Sequence, residues 1–164
     1  MRAPAFGHGH RQGRVTSMGE SQTADQRIRR CAVSERALDV AAIAASVDDD
    51  HAGAVVTFSG VVRDHDRGRR VTAIEYEGHP SAPGVLARVA AQVLAEFPGV
   101  LVAIEHRSGM LRVGDVAMVG AVSASHRGQA FMACSRLVDL VKEQLPVWKR
   151  QIFADGTDEW TGTA

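Results

Sequence analysis

The run from Asp115 to Ser125 is almost wholly apolar, and it passes directly into a segment whose Phe131, Cys134, Val138, Val141 and Leu145 recur at helical spacing until Pro146. A strand with apolar residues on both faces belongs inside a sheet covered on two sides, and an amphipathic helix has to bury its stripe against something. The chain is therefore built around a central strand that hands over to a helix at Ser125-His126-Arg127-Gly128. Proline lacks an amide proton and its ring clashes with the preceding turn, so Pro146 ends that helix and forces a change of direction.

Other segments fall into place around this pair. Gln26 to Val33 reads as a first strand, and Ser34 as the cap of a helix carrying Leu38, Ala41, Ala42 and Ala45, closed by the polar Asp48-Asp49-Asp50. Ala54 to Val62 and Val71 to Glu77 are rich in β-formers. Joined by the charged stretch Arg63 to Arg70, they suggest a hairpin with a long tip. Ser81 and Pro83 open a helix with Val85, Leu86, Val89, Val93, Leu94 and Phe97 on one face, stopped at Pro98-Gly99. Val100 to His106 is another strand, and Val147 to Phe153 is extended, followed by a turn at Asp155-Gly156. This order predicts an α+β fold, a largely antiparallel mixed sheet with about three helices packed on it.

A chain of 164 residues with 45% hydrophobic content suffices for one domain with a core, expected over residues 27–164. Met1 to Gln26, rich in Gly, Arg, Ser and Thr, reads as a disordered extension, with Met18 as an alternative start. Lys plus Arg and Asp plus Glu both total 19, so no net field favours nucleic acid or an anionic membrane. No apolar run reaches the length of a membrane span, and the first residues lack the hydrophobic stretch of a secretory signal. Cys31 and Cys134 stand far apart without Cys-x-x-Cys spacing, which argues against a zinc site, a redox pair or a disulfide framework and fits a reducing cytoplasm.

Few polar groups look placed for chemistry. Lys142 lies on the last turn of the helix before Pro146, and Lys149 and Arg150 follow the turn beside Trp148, so two elements aim cations at one region. An indole there walls off water and strengthens electrostatics, and clustered cations depress one another's pKa toward the range of a proton donor or base. Ser125 and His126 are adjacent on a strand and point to opposite faces, so they make a poor nucleophile and base pair. The strand end suits an anion better, with free amides, a positive helix end and Arg127 able to bind phosphate. Arg63 ends a strand and projects from its edge. Asp64-His65-Asp66 has metal-ligand residue types but no second cluster to complete a shell, so no metal is expected. Arg67-Gly68-Arg69-Arg70 has no interleaved aromatics, a weak footprint for nucleic acid.

Gly60-Val61-Val62-Arg63, Glu75-Tyr76-Glu77, Ser125-His126-Arg127, the Lys142 to Arg150 segment and Asp155-Gly156 with Trp160 resemble, in order and spacing, the large catalytic subunit of molybdopterin synthase. The resemblance runs from about Ala32 to Gly162, and its most specific part is Lys-x-x-x-x-Pro-x-Trp-Lys-Arg after the Ser-His-Arg strand end. It departs from the family near His79 to Pro83. It implies an α/β hammerhead-like fold and insertion of two sulfurs into cyclic pyranopterin monophosphate, each brought as the C-terminal thiocarboxylate of a small ubiquitin-like partner.

Carried over by position, the resemblance makes Lys142 and Lys149 the catalytic lysines. It sets Val61, Val62, Arg63, His126, Arg127, Arg150 and Gln151 with them around the substrate, and implies a homodimer, whose second copy helps complete the pocket, within a heterotetramer. It implies no resident cofactor or metal. The residues themselves agree on one point: neither cysteine has a neighbour suited to sulfur relay. The competing reading is a non-catalytic module that binds a phosphorylated metabolite or an acidic tail with the same cations.

Overall fold

The structure, a computed structural model, describes residues 23–162. The expectations for Met1 to Gln22, including an alternative start at Met18, lie outside them. In chain order the elements are α1 (Ala24–Arg27), β1 (Ile28–Ser34), α2 (Val40–Ala45), β2 (Ala54–Val61), β3 (His65–Asp66), β4 (Arg69–Gly78) and α3 (Ala82–Glu96). They continue with β5 (Leu101–Arg107), β6 (Gly109–Arg112), β7 (Val116–Ala124), α4 (Arg127–Gln144), β8 (Val147–Phe153) and β9 (Asp158–Gly162).

The α+β class and the mainly antiparallel pairing are as expected, but the strands divide between two sheets. The first has the order β1-β5-β7-β2, with β1 and β5 its only parallel pair; the second has β3-β4-β8-β9, with β6 also on β4. β7 is interior, flanked by β5 and β2, and is buried along nearly its whole length, as its composition requires. The face with Val102, Ile104 and Val122 packs on α3 and α4, while Leu101, Ala103, Val119 and Ala121 pack with Ile43 and Val47 at α2. A third core of Val62, Val71, Ile74, Leu111, Ala117 and Phe153 joins the second sheet to the first.

Two local expectations are corrected. Asp39, not Ser34, caps α2: its carboxylate accepts from the Ala42 amide at 3.0 Å, while Ser34 closes β1. β2 and β4 do not form a hairpin. β2 stays with β7, and the chain leaves through a bulge at Gly60/Val61, with the Val62 amide on the Asp115 carbonyl at 2.9 Å. The hairpin is the short one between β3 and β4, turned by Arg67 and Gly68, whose positive φ values of 46° and 79° suit a two-residue turn. β6 was hidden in the sequence among Gly109 and Gly114, because four residues carry too little alternation to be read.

Candidate functional site

A cavity of about 320 Å³ opens where the two sheets meet the C-terminus of α4. β2 and the segment after it contribute Gly60 to Arg63, β4 contributes Ile74 and Tyr76, and β7 contributes Ala117 and Met118. Lys142 reaches it from the last turn of α4, and Lys149 and Gln151 from β8. The turn between the lysines is tight. Leu145 caps α4 through its amide on the Val141 carbonyl at 2.9 Å, the Val147 amide reaches Leu145 at 2.9 Å, and the Pro146 carbonyl accepts from His79 at 3.0 Å. Pro146 thus aims two cations from two elements into one space.

The electrostatics fit an anion. Burial lowers the Lys149 pKa first; Arg63, Lys142 and Arg67 push in the same direction, while Asp66 opposes them. Asp66 is itself held below the usual carboxylate range, mainly because the Arg63 guanidinium donates to it at 2.9 Å, with help from Gln151 and the charge of Lys149. Val61, Val62, Arg63, Lys142, Lys149 and Gln151 therefore share one pocket.

Arg150, His126 and Arg127 do not line this cavity in one copy of the chain. Successive residues of a strand face opposite ways, so Arg150 points away from Lys149 and Gln151. There it donates to Asp158 at 2.8 Å and to Glu75 at 3.2 Å, beside the Trp160 ring. Trp148 also lies on that far face, 44% exposed and edge-on to His79, so it does not shield Lys149 from water. His126 is the N-cap of α4 and Arg127 its first residue, both exposed. At 1.5 Å rise per residue, the helix separates Arg127 from Lys142 by about 22 Å.

Three polar residues of the pocket were not expected from the sequence as site residues. His65 lines the rim, and Tyr76 and His106 lie against each other, with ring centroids 5.2 Å apart at 84°. The available signal for His106 was a histidine following the apolar run Val100 to Ile104, next to Glu105 near the end of the strand. Among the described residues, no group of three or more His, Cys, Asp or Glu could hold a metal ion, and no helix is long and apolar enough to cross a membrane. Cys31 and Cys134 have thiols pushed up chiefly by burial, so both stay protonated near neutrality and are poor sulfur nucleophiles.

The profile of the MoaE protein matches residues 33–144. The molybdopterin synthase catalytic subunit of Staphylococcus carnosus is 42% identical over 113 residues, covering 68% of this chain and 75% of the relative. Catalytic subunit 1 of Mycobacterium tuberculosis is 36% identical, covering 80% and 90%. The crystal structure of molybdopterin synthase from Staphylococcus aureus superposes with a TM-score of 0.75 at 32% identity, over 82% of this chain and 97% of that one. Matches of this length and identity show that the chain belongs to the MoaE protein family, the catalytic subunits of molybdopterin synthase.

Proposed function

We propose that the chain transfers sulfur to cyclic pyranopterin monophosphate from the C-terminal thiocarboxylate of a small ubiquitin-like carrier subunit, making the dithiolene of molybdopterin. The observation that carries this is the pairing of Lys142 and Lys149 across Pro146 in one cavity, in a chain whose own thiols are protonated. Phosphate, thiocarboxylate and sulfur-bearing intermediates are all anionic, and a cationic, partly dry pocket stabilises such charge better than water does. Lys149, its pKa already lowered, moves the proton, and Lys142 holds charge. A module that only binds anions has no use for the first property. The cations are side chains, so the step needs no resident metal or cofactor, and two unpaired thiols suit a cytoplasmic setting.

A second copy supplies His126 and Arg127. β2 ends the first sheet with its outer edge unpaired among the described residues, and Val55 and Val61 on it are exposed. Its start lies beside Ser125, where the Gly53 amide meets the Ala124 carbonyl at 3.0 Å, and its end leads to Arg63. Two such edges set antiparallel about a twofold axis bring the His126 end of one copy to the Arg63 end of the other. The working assembly is then a homodimer with one small subunit at each pocket.

The test is reconstitution with thiocarboxylated small subunit and cyclic precursor, reading dithiolene product by mass. Wild type makes product, and Lys142→Ala keeps its fold by circular dichroism but makes at least about a hundredfold less. Near-normal product from Lys142→Ala would sink the assignment.

A further inference from the structure

The cavity has a floor that the sulfur-transfer reading does not use. His106 is 2% exposed at the end of β5 and lines the cavity with Tyr76. Its Nδ1 lies 2.8 Å from the Arg107 carbonyl oxygen. A carbonyl only accepts, so Nδ1 carries the hydrogen and Nε2 keeps a bare lone pair. Among the described residues that nitrogen has no partner, it is not wholly shut off from solvent, and the ring it belongs to lines the cavity. Burial holds the imidazole down to about 4, and the ring stays neutral at any ordinary working pH.

The mouth of the same cavity is the chemical opposite. Arg63, Lys142 and Lys149 offer only donors. Between mouth and floor, Phe58, Ile74 and Met118 form apolar walls, and about 320 Å³ is the lower end of the range for small-molecule pockets. A ligand that satisfies both ends is planar, anionic at one end and an N–H donor at the other. A pterin phosphate has this form.

We infer that His106 is a substrate-contacting residue: its Nε2 accepts a hydrogen bond from an N–H of the pterin ring, with Tyr76 bracing the imidazole edge-on. This contact sets the ring's orientation, so that the phosphate and the carbons receiving sulfur face the lysines. It would also distinguish pterin phosphates from phosphorylated compounds without a ring N–H donor. The inference rests on the reading of the site as a sulfur-transfer pocket and adds to it a wall that reads the heterocycle.

Two measurements on the full chain test it. In wild type labelled with ¹⁵N histidine, the Nε2 resonance of His106, that of a bare ring nitrogen, moves upfield when the cyclic precursor saturates the protein. An unmoved resonance at saturation overturns the proposal without any mutant. In equilibrium titrations, His106→Asn keeps a donor for the Arg107 carbonyl but falls short of the Nε2 position, and binds precursor about threefold to tenfold more weakly. His106→Gln, whose amide reaches that position, recovers most of the loss, and inorganic phosphate binds all three proteins alike. Equal weakening of both variants with a lowered melting temperature would mark His106 as purely structural and reject the proposal. If wild type itself fails to bind the precursor, the reading of the whole site falls, and this one with it.

Discussion

His106 and Lys149 are ionisable residues whose surroundings have shifted them in the same direction for different reasons. Lys149 loses water and sits among other cations; His106 is simply buried, with one backbone hydrogen bond only partly opposing the loss. The histidine has a consequence for stability. Its folded pKa of about 4 lies below the ordinary 6.5, so between those values the unfolded chain takes up a proton that the folded chain refuses. Stability contributed by the neutral ring is complete above pH 6.5 and falls as the pH drops toward 4. At about 1.4 kcal/mol per pH unit, this amounts to about 2 kcal/mol between pH 6.5 and 5. Urea denaturation at pH 7 and pH 5 should show His106→Gln losing less stability than wild type over that interval, and equal losses would contradict the burial argument. The pairing of the two lysines was legible in the sequence because a proline break leaves little choice of direction. The facing of Arg150 and Trp148 was not, since it depends on the phase of β8, which its pairing with β4 sets.

At the scale of elements, the junction of β7 and α4 couples fold to site. Gly53 precedes β2 and packs so closely that a Cβ there would stand 2.5 Å from the Ser125 carbonyl oxygen. Backbone atoms cannot yield as the end of a side chain can, so Gly53→Ala has to push β2 away from the strand end that presents His126. The expected cost is about 1–3 kcal/mol in chemical denaturation, with weaker precursor binding by the dimer. An alanine variant of wild-type stability would show that the junction is looser than the geometry states. The long helices were legible from their stripes, and α3 begins at Ala82 and ends at Glu96 close to the signals Ser81 and Pro98-Gly99. The supposed β2 and β4 hairpin failed because adjacency in sequence, usually a fair guide to strand pairing, was overridden by the bulge at Gly60/Val61. That bulge directs the chain from one sheet into the other.

In the whole molecule, the 22 Å between the two ends of α4 is the distance a second copy has to bridge. If it does so, each pocket draws lysines from one chain and His126 with Arg127 from its neighbour. Lys142→Ala and Arg127→Ala are then each inactive alone, yet their mixed dimer holds one intact pocket and one doubly damaged. Coexpressed in equal amounts, they should recover about a quarter of wild-type product, because random pairing makes half the dimers mixed. No recovery, with mixed dimers verified by mass, would show that Arg127 does not serve the neighbouring copy's pocket. Pattern and chemistry in the sequence settled the fold class, the long helices and the convergence of two lysines, because these depend on local periodicity and on one proline. Division into two sheets, the outward turn of Arg150 and the neutral floor of Tyr76 and His106 were decided by tertiary structure alone. Strand phase and sheet partners are set by contacts between residues far apart in the chain, and no local pattern encodes them.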